Sequence, residues 1–229
     1  MKRALIDAAK TYGRPLKRAL KAMIDNRLVD YHMPPAMPGD LLLTFDDGPH
    51  PEYTPRLLDL LDEYNARAVF FVIGERAEQR PDLVQACRDR GHFVANHTHT
   101  HLNDGIGGRY TRSRVAEEIS KCSDVIQRAI GRETDWFRPP RGELNAKTWA
   151  ASRDTGHRIM LWSIEGGEAG VRGDWSAAEI SEYVSGNIRK RDILLLHENN
   201  EKTLRVISDL LVKLRREKFD LVSAAASLD

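Results

Sequence analysis

Leu41-Leu42-Leu43-Thr44-Phe45-Asp46-Asp47-Gly48-Pro49 is an apolar run that ends in two adjacent carboxylates and a turn. Leu41–Thr44 reads as a short strand, and Gly-Pro marks where the chain leaves it. From position 97 a second polar cluster follows another strand-like run: His97-Thr98-His99-Thr100-His101. Hard oxygen ligands and imidazoles at two strand ends suggest a divalent metal with a spare carboxylate beside it, a combination suited to hydrolysis by a metal-activated water.

Working outward, strand-like and helix-like runs alternate. Pro51–Tyr64 places Leu57, Leu58, Leu60 and Leu61 at helical spacing, and Ala68–Ile73 is a continuous apolar run of the kind a buried parallel strand requires. Arg76–Arg90 reads as one helix closed by Gly91, and Phe93–Ala95 as a strand leading into the histidines. Helices are expected over Thr111–Ile130, Asn145–Asp154, Ser176–Ile188 and Glu201–Arg216. Strands are expected over Arg158–Ile164, Asp192–Leu196 and Phe219–Val222. The alternation predicts an α/β fold in which about seven strands form a parallel sheet with helices outside. Polar motifs end at least five of these strands and must converge, which favours a distorted (β/α)7-8 barrel over an open sheet. No glycine-rich dinucleotide fingerprint follows any strand.

The chain has 229 residues and a formal net charge of +1. The length suits one substantial core, and the charge gives no reason to expect nucleic acid as a partner. Cys87 and Cys122 fall in helix-like stretches without metal-ligand spacing and read as buried thiols. Residues 1–38 form a separate element, a basic helical extension followed by a linker with Pro34, Pro35 and Pro38; residues 39–229 form the barrel. Within residues 1–30, eight cations (Lys2, Arg3, Lys10, Arg14, Lys17, Arg18, Lys21 and Arg27) accompany two apolar stripes, Leu5/Ala8/Ala9/Tyr12 and Leu16/Leu20/Met23/Ile24, broken at Gly13 and Pro15. Two readings stay open: peripheral contact with anionic lipid, or a helix packed on the barrel with its charges in water. The interrupted apolar stretch does not make a secretory signal. A protein that begins this way is expected in the cytoplasm, at the inner membrane surface if the stretch meets lipid.

His97 and His101 are four positions apart. In one helical turn both rings lie on one face and share a metal with Asp47, while His99 points away. Asp46, next to a ligand, is the expected general base. His197 ends the run Ile193-Leu194-Leu195-Leu196 and is the expected acid. Arg138, before Pro139 and Pro140, is expected to pair with Asp46, and Asp174 to orient His197. The rigid Pro-Pro loop ending at Gly142 can present backbone N–H groups. Two histidines and one carboxylate leave positions open for water and substrate; zinc is the expected ion, and cobalt, nickel or iron(II) also suit the set.

In order along the chain, Thr44–Pro49, His97–His101, Arg138-Pro139-Pro140-Arg141-Gly142, Asp174-Trp175 and Leu195-Leu196-His197 resemble the five motifs of the polysaccharide deacetylases, the NodB-homology group of carbohydrate esterase family 4. The resemblance spans roughly residues 40–222. It implies a metal-dependent hydrolase that removes N- or O-acetyl groups from a poly- or oligosaccharide, or a relative that acts on a formyl group of a lipid-linked sugar or on a non-sugar amide. A saccharide-binding module without catalysis is the remaining alternative. Carried over, the backbone N–H of Arg141 helps to hold the oxyanion, and Trp175 and Leu195 wall the pocket for the acetyl methyl group. Two departures stand out. Position 141 is usually uncharged in the family, and an arginine there suggests an anionic substrate. The usual compact Asp-x-x-Asp-Trp is replaced by Trp162-Ser163-Ile164-Glu165, then the glycine-rich Gly166-Gly167-Glu168-Ala169-Gly170, before Asp174-Trp175.

Overall fold

Leu41-Leu42-Leu43 has no polar alternation because both faces of its strand are covered: Leu41 and Leu43 pack towards the outer helices and Leu42 towards the barrel interior. The computed structural model describes residues 29–102 and 110–228. The proposed basic helices lie outside these residues, except for their last two positions.

Among the described residues, eight parallel strands form one sheet: β1 (Val29–Asp30), β2 (Leu41–Gly48), β3 (Ala68–Val72), β4 (Phe93–Asn96), β5 (Trp136–Phe137), β6 (Arg158–Met160), β7 (Ile164–Glu165) and β8 (Asp192–His197). Their spatial order is β1-β6-β5-β4-β3-β2-β8-β7. The strands β6 and β7 are separated only by residues 161–163, yet one pairs with β5 and the other with β8. One run of chain therefore meets both flanks of the sheet, and the sheet curls into a distorted barrel. This run was expected as a single strand. It breaks because Ser163 turns to β8, where its N–H donates to Ile193 O (3.1 Å) and its Oγ to Asp192 Oδ1 (2.7 Å).

Outside lie α1 (Tyr53–Glu63), α2 (Gly74–Gln79), α3 (Pro81–Asp89), α4 (Arg112–Ile130), α5 (Ala146–Asp154), α6 (Ala177–Asn187), α7 (Glu201–Arg216) and the short α8 (Ser223–Ala226). The expected single helix over Arg76–Arg90 is two, because Pro81 has no N–H to continue α2 and instead opens α3. The long α4 is bounded as its sequence dictates. Thr111 Oγ1 accepts from Arg114 N at 3.2 Å, and Gly131 closes it in the left-handed region at φ 68°. Cys87 and Cys122 are buried free thiols, as expected, and burial raises both well above the usual thiol range.

Alternation along the strands separates two kinds of core. Leu42, Val69, Phe71, Phe93, Ala95, Trp136, Met160 and Ile193 fill the barrel. Leu43, Phe45, Phe70, Val94, Leu194 and Leu196 meet the helices. Met33, Met37, Ala224 and Ala225 plug the base, which leaves the C-terminal rim as the open end. The stretch 29–38, assigned above to the extension and linker, is thus built into the barrel: Val29–Asp30 pairs with Ile159–Met160, and Met33 and Met37 are core residues. The expected last strand, Phe219–Val222, does not form. Asp220 and Leu221 only accept single backbone bonds from Asp40 and Arg67, across the starts of β2 and β3, before the chain turns into α8.

Candidate active site

Thr44 and Asp46 follow Leu42 on the inward face of β2, and a regular strand would turn Asp47 outward beside Phe45. It does not. The register with β3 shifts between Asp46 and Gly48, and Asp47 takes a left-handed conformation at φ 71°. A bulge with a left-handed non-glycine residue costs about 1–3 kcal/mol. Here it brings both carboxylates over the rim: His97 Nε2 lies 3.7 Å from Asp46 Oδ2 and 3.5 Å from Asp47 Oδ1. The bulge is propped from behind by Glu198, which is 1% exposed. A Cβ at position 48 would fall 1.2 Å from Glu198 Oε1, so any side chain there has to push the Glu198 carboxylate aside. Glu198 N donates to Asp46 O (3.1 Å), and Glu198 Oε2 accepts from Thr54 Oγ1 (2.6 Å). Burial pushes the Glu198 carboxyl up to about 8.

His97 follows β4. Its Nδ1 is 2.7 Å from Arg138 O. A carbonyl only accepts, so Nδ1 carries the proton and Nε2 presents a lone pair towards Asp47. The segment to His101 is not the expected helical turn. Thr98, His101 and Leu102 have φ values of 69°, 60° and 42°, and the chain forms tight left-handed turns. Four neighbours fix this shape. Gly74 N and Glu75 N, at the start of α2, donate to Thr98 O (3.0 Å) and His99 O (2.9 Å). Asn96 Oδ1 accepts from Thr98 N (2.8 Å), and Glu118 Oε2, from α4, accepts from Thr100 N (2.8 Å) and Thr100 Oγ1 (3.1 Å). His101 Nε2 then reaches Asp47 Oδ1 at 3.2 Å, while His99 turns away against Gly74.

One ligand atom each from Asp47, His97 and His101 lie within 4.8 Å of one another. Asp47 Oδ1 is buried and takes no aligned hydrogen bond from the protein, while Oδ2 accepts from Asn199 Nδ2 at 3.3 Å. Burial alone would raise the Asp47 carboxyl; the adjacent His101 and His97 outweigh it and hold the group far below the usual carboxylate range. A carboxylate oxygen and two imidazole nitrogens that converge in this way fit a divalent cation. A cleft of about 290 Å³ opens beside them, lined by Asp47, Ile73, Glu75, Arg76, Gln79, Thr100 and His101.

Among the described residues Arg138 is the largest fully buried side chain, and each of its three nitrogens donates a hydrogen bond. Nη1 donates to Asp46 Oδ1 (2.7 Å) and Thr44 Oγ1 (2.8 Å), Nε to Met160 O (3.0 Å) and Nη2 to Leu161 O (3.0 Å). Its guanidinium also stacks 4.1 Å from the Phe71 ring centroid. The contact with Asp46 is the one expected from sequence. Arg141 adopts φ 57° inside the Pro140–Gly142 turn, and its side chain donates to Leu102 O at 3.4 Å.

His197 is the register partner of Asp46 on β8, so base and acid candidates sit side by side. The carboxylate that meets it is Glu168, not Asp174. Glu168 is buried, and its Oε1 accepts from His197 N (2.6 Å) and lies 3.1 Å from Nδ1. Burial would lower the imidazole, but Glu168 and the charges of Asp46 and Asp47 raise it to about 9. Asp174 is exposed. The reason is the glycine-rich loop: Gly167, at φ 72°, accepts from both Gly170 N (3.1 Å) and Arg172 N (2.8 Å). The chain doubles back at once, leaving Glu168 under β8 and carrying Asp174 out to the start of α6. Trp175 leaves with it. Its ring packs against Tyr183 and Arg172 and is 40% exposed. Leu195 is on the inward face, one step before His197 on that face. The aromatic ring at the rim is Trp162: a Cβ on Gly142 would lie 2.6 Å from it, and Arg138 stands 5.7 Å from its centroid.

Comparison with known proteins agrees with this geometry. A profile described as Polysaccharide deacetylase matches residues 35–160. A peptidoglycan-N-acetylglucosamine deacetylase of Bacillus cereus is 30% identical over 194 residues, 82% of this chain and 87% of the relative. A chitooligosaccharide deacetylase of Azorhizobium caulinodans is 32% identical over 164 residues, 69% of this chain and 73% of the relative. Among solved structures, the Bc1960 peptidoglycan N-acetylglucosamine deacetylase superposes with a TM-score of 0.77 at 25% identity, covering 87% of this chain and 92% of that one. The relatives are hydrolases acting on N-acetyl groups, and the chain belongs to the polysaccharide deacetylases, carbohydrate esterase family 4.

Proposed function

We propose that this protein is a metal-dependent deacetylase that hydrolyses the N-acetyl group of a saccharide. The observation that carries the proposal is the arrangement of Asp47, His97 and His101 with Asp46 and Arg138 on one side and His197 and Glu168 on the other. Asp47, His97 and His101 would hold the ion, with zinc our choice for a set of two imidazoles and one carboxylate. When bound, a divalent cation supplies Lewis acidity and favours deprotonation of water.

The side chains then divide the work. Asp46, oriented by Arg138, accepts the proton of the attacking water. His197 is anchored through Nδ1 to Glu168 and donates from Nε2 to the departing amine nitrogen as the C–N bond breaks. The Arg141 backbone N–H assists the oxyanion. Leu195 and Trp162 border the acetyl methyl group. The products are acetate and a free amine. The test is acetate release from an N-acetylglucosamine oligomer, with D46N and a chelator each expected to remove at least about 99% of the rate. Turnover that survives both contradicts the proposal.

We infer further that residues 1–28, ahead of β1, bring the protein to anionic lipid on the cytoplasmic side, where a lipid-linked substrate is within reach. The support is their charge pattern alone. Among the described residues no helix is long and apolar enough to cross a membrane. Flotation with anionic liposomes, with and without residues 1–28, tests this; equal flotation contradicts it.

A further inference from the structure

Among the described residues, two large apolar side chains are exposed, Val171 (77%) and Trp175 (40%). Both lie on the loop whose base supplies Glu168 to His197. A single exposed apolar residue is ordinary, but Trp175 is held in place. It meets Tyr183 edge-on, with centroids 5.9 Å apart and an interplanar angle of 84°. The Arg172 guanidinium lies 3.8 Å from the Tyr183 centroid and 5.6 Å from that of Trp175. Trp175 N donates to Arg172 O (3.0 Å), and Lys202, at the start of α7, donates to Gly173 O. Immediately after Trp175, Ser176 and Glu179 form a reciprocal cap on α6. The indole is therefore fixed from both chain directions before any ligand arrives, and such preorganisation lowers the cost of binding.

We propose that Trp175, framed by Arg172 and Tyr183, is a stacking platform for a second pyranose ring of the substrate chain, outside the site of hydrolysis. This rests on the saccharide activity proposed above. A pyranose offers a C–H face to an indole and hydroxyl groups to a guanidinium, so this surface suits a sugar ring. The ring is assigned to the same chain as the reacting one because the platform stands on the loop whose base supplies Glu168 to His197 and which Lys202 ties to the helix that follows β8. Binding energy from that remote ring is available to the reaction only for substrates long enough to reach it.

The test compares kcat/KM on an N-acetylglucosamine pentamer and on the monosaccharide, together with pentamer affinity by calorimetry, for wild type, W175A and W175F. W175A is expected to lower the pentamer-to-monomer ratio of kcat/KM about tenfold and to weaken pentamer binding by a similar factor, with W175F recovering most of both. A wall of the methyl pocket would instead lower both substrates together and leave the ratio unmoved, which overturns the platform while the activity stands. If neither substrate is hydrolysed but W175A weakens pentamer binding, the platform stands and the proposed activity falls. Unchanged pentamer affinity in W175A overturns it in either case.

Discussion

Substituting Glu168 by glutamine changes one charge beside His197 and keeps the shape. The amide oxygen introduced by E168Q still accepts from the His197 backbone N–H, but the carboxylate that raises the imidazole is gone. With a value of about 9, His197 is almost wholly protonated at about pH 7.5; at the ordinary 6.5 only about a tenth is. An acid that must enter the reaction protonated loses activity as pH rises through its own value. The wild type should therefore keep activity to the alkaline side, and E168Q should lose it near neutrality. The expected drop in kcat/KM is about tenfold at pH 7.5 and smaller by pH 6. A bound dication offsets the contribution of Asp46 and Asp47, so the comparison is made between variants at equal metal loading. The assay is acetate release on one substrate from about pH 5.5 to 10. D174N is the control and should leave the alkaline limb where it is. An alkaline limb unmoved in E168Q, or moved instead in D174N, refutes the assignment of the orienting carboxylate.

Two further outcomes follow from buried groups. R138M leaves Asp46, Thr44 Oγ1 and two carbonyls without their donor, and should cost about 3–5 kcal/mol in denaturant unfolding; a loss below about 1 kcal/mol contradicts the pairing. Glu198 is raised from 4.5 to about 8 by burial, so its contribution is complete below its ordinary value and is lost as pH rises through about 8. Metal-free wild type should lose thermal stability relative to E198Q between about pH 5 and 8; a constant Tm difference would show that Glu198 does not titrate there.

The barrel was legible because both-face burial writes uninterrupted apolar runs such as Leu41–Leu43 and Ala68–Ile73, and because helix ends carry their own caps. What failed was set by geometry that composition does not encode. Phe219–Val222 has a strand's residues but meets only Asp40 and Arg67, the residues just before β2 and β3, through single backbone bonds. The identities of Asp47, His97 and His101 were readable, but their meeting depends on left-handed residues at 47, 98 and 101, none of them glycine. The four-residue spacing of the histidines suggested a helical turn, and the real turn brings the same rings together by another path. For His197 the choice of carboxylate turned on loop direction. Glu168 sits next to Gly166-Gly167, the pair best able to reverse the chain, and that was the available signal; the Asp174-Trp175 pair lies at the far end of the loop. Buried Glu118 and Glu198, which hold the histidine turn and the carboxylate bulge, left no pattern at all, since a lone glutamate in a helix or after a strand is ordinarily a solvated one.

The central claim is that Asp47, His97 and His101 form one cation site, and elemental analysis of exhaustively dialysed protein tests it most directly. Wild type should retain about one divalent ion per chain, and H97A and D47A should each retain less than about a tenth of that. A wild-type chain that takes up no ion when zinc is supplied, or variants that keep it, would contradict the account.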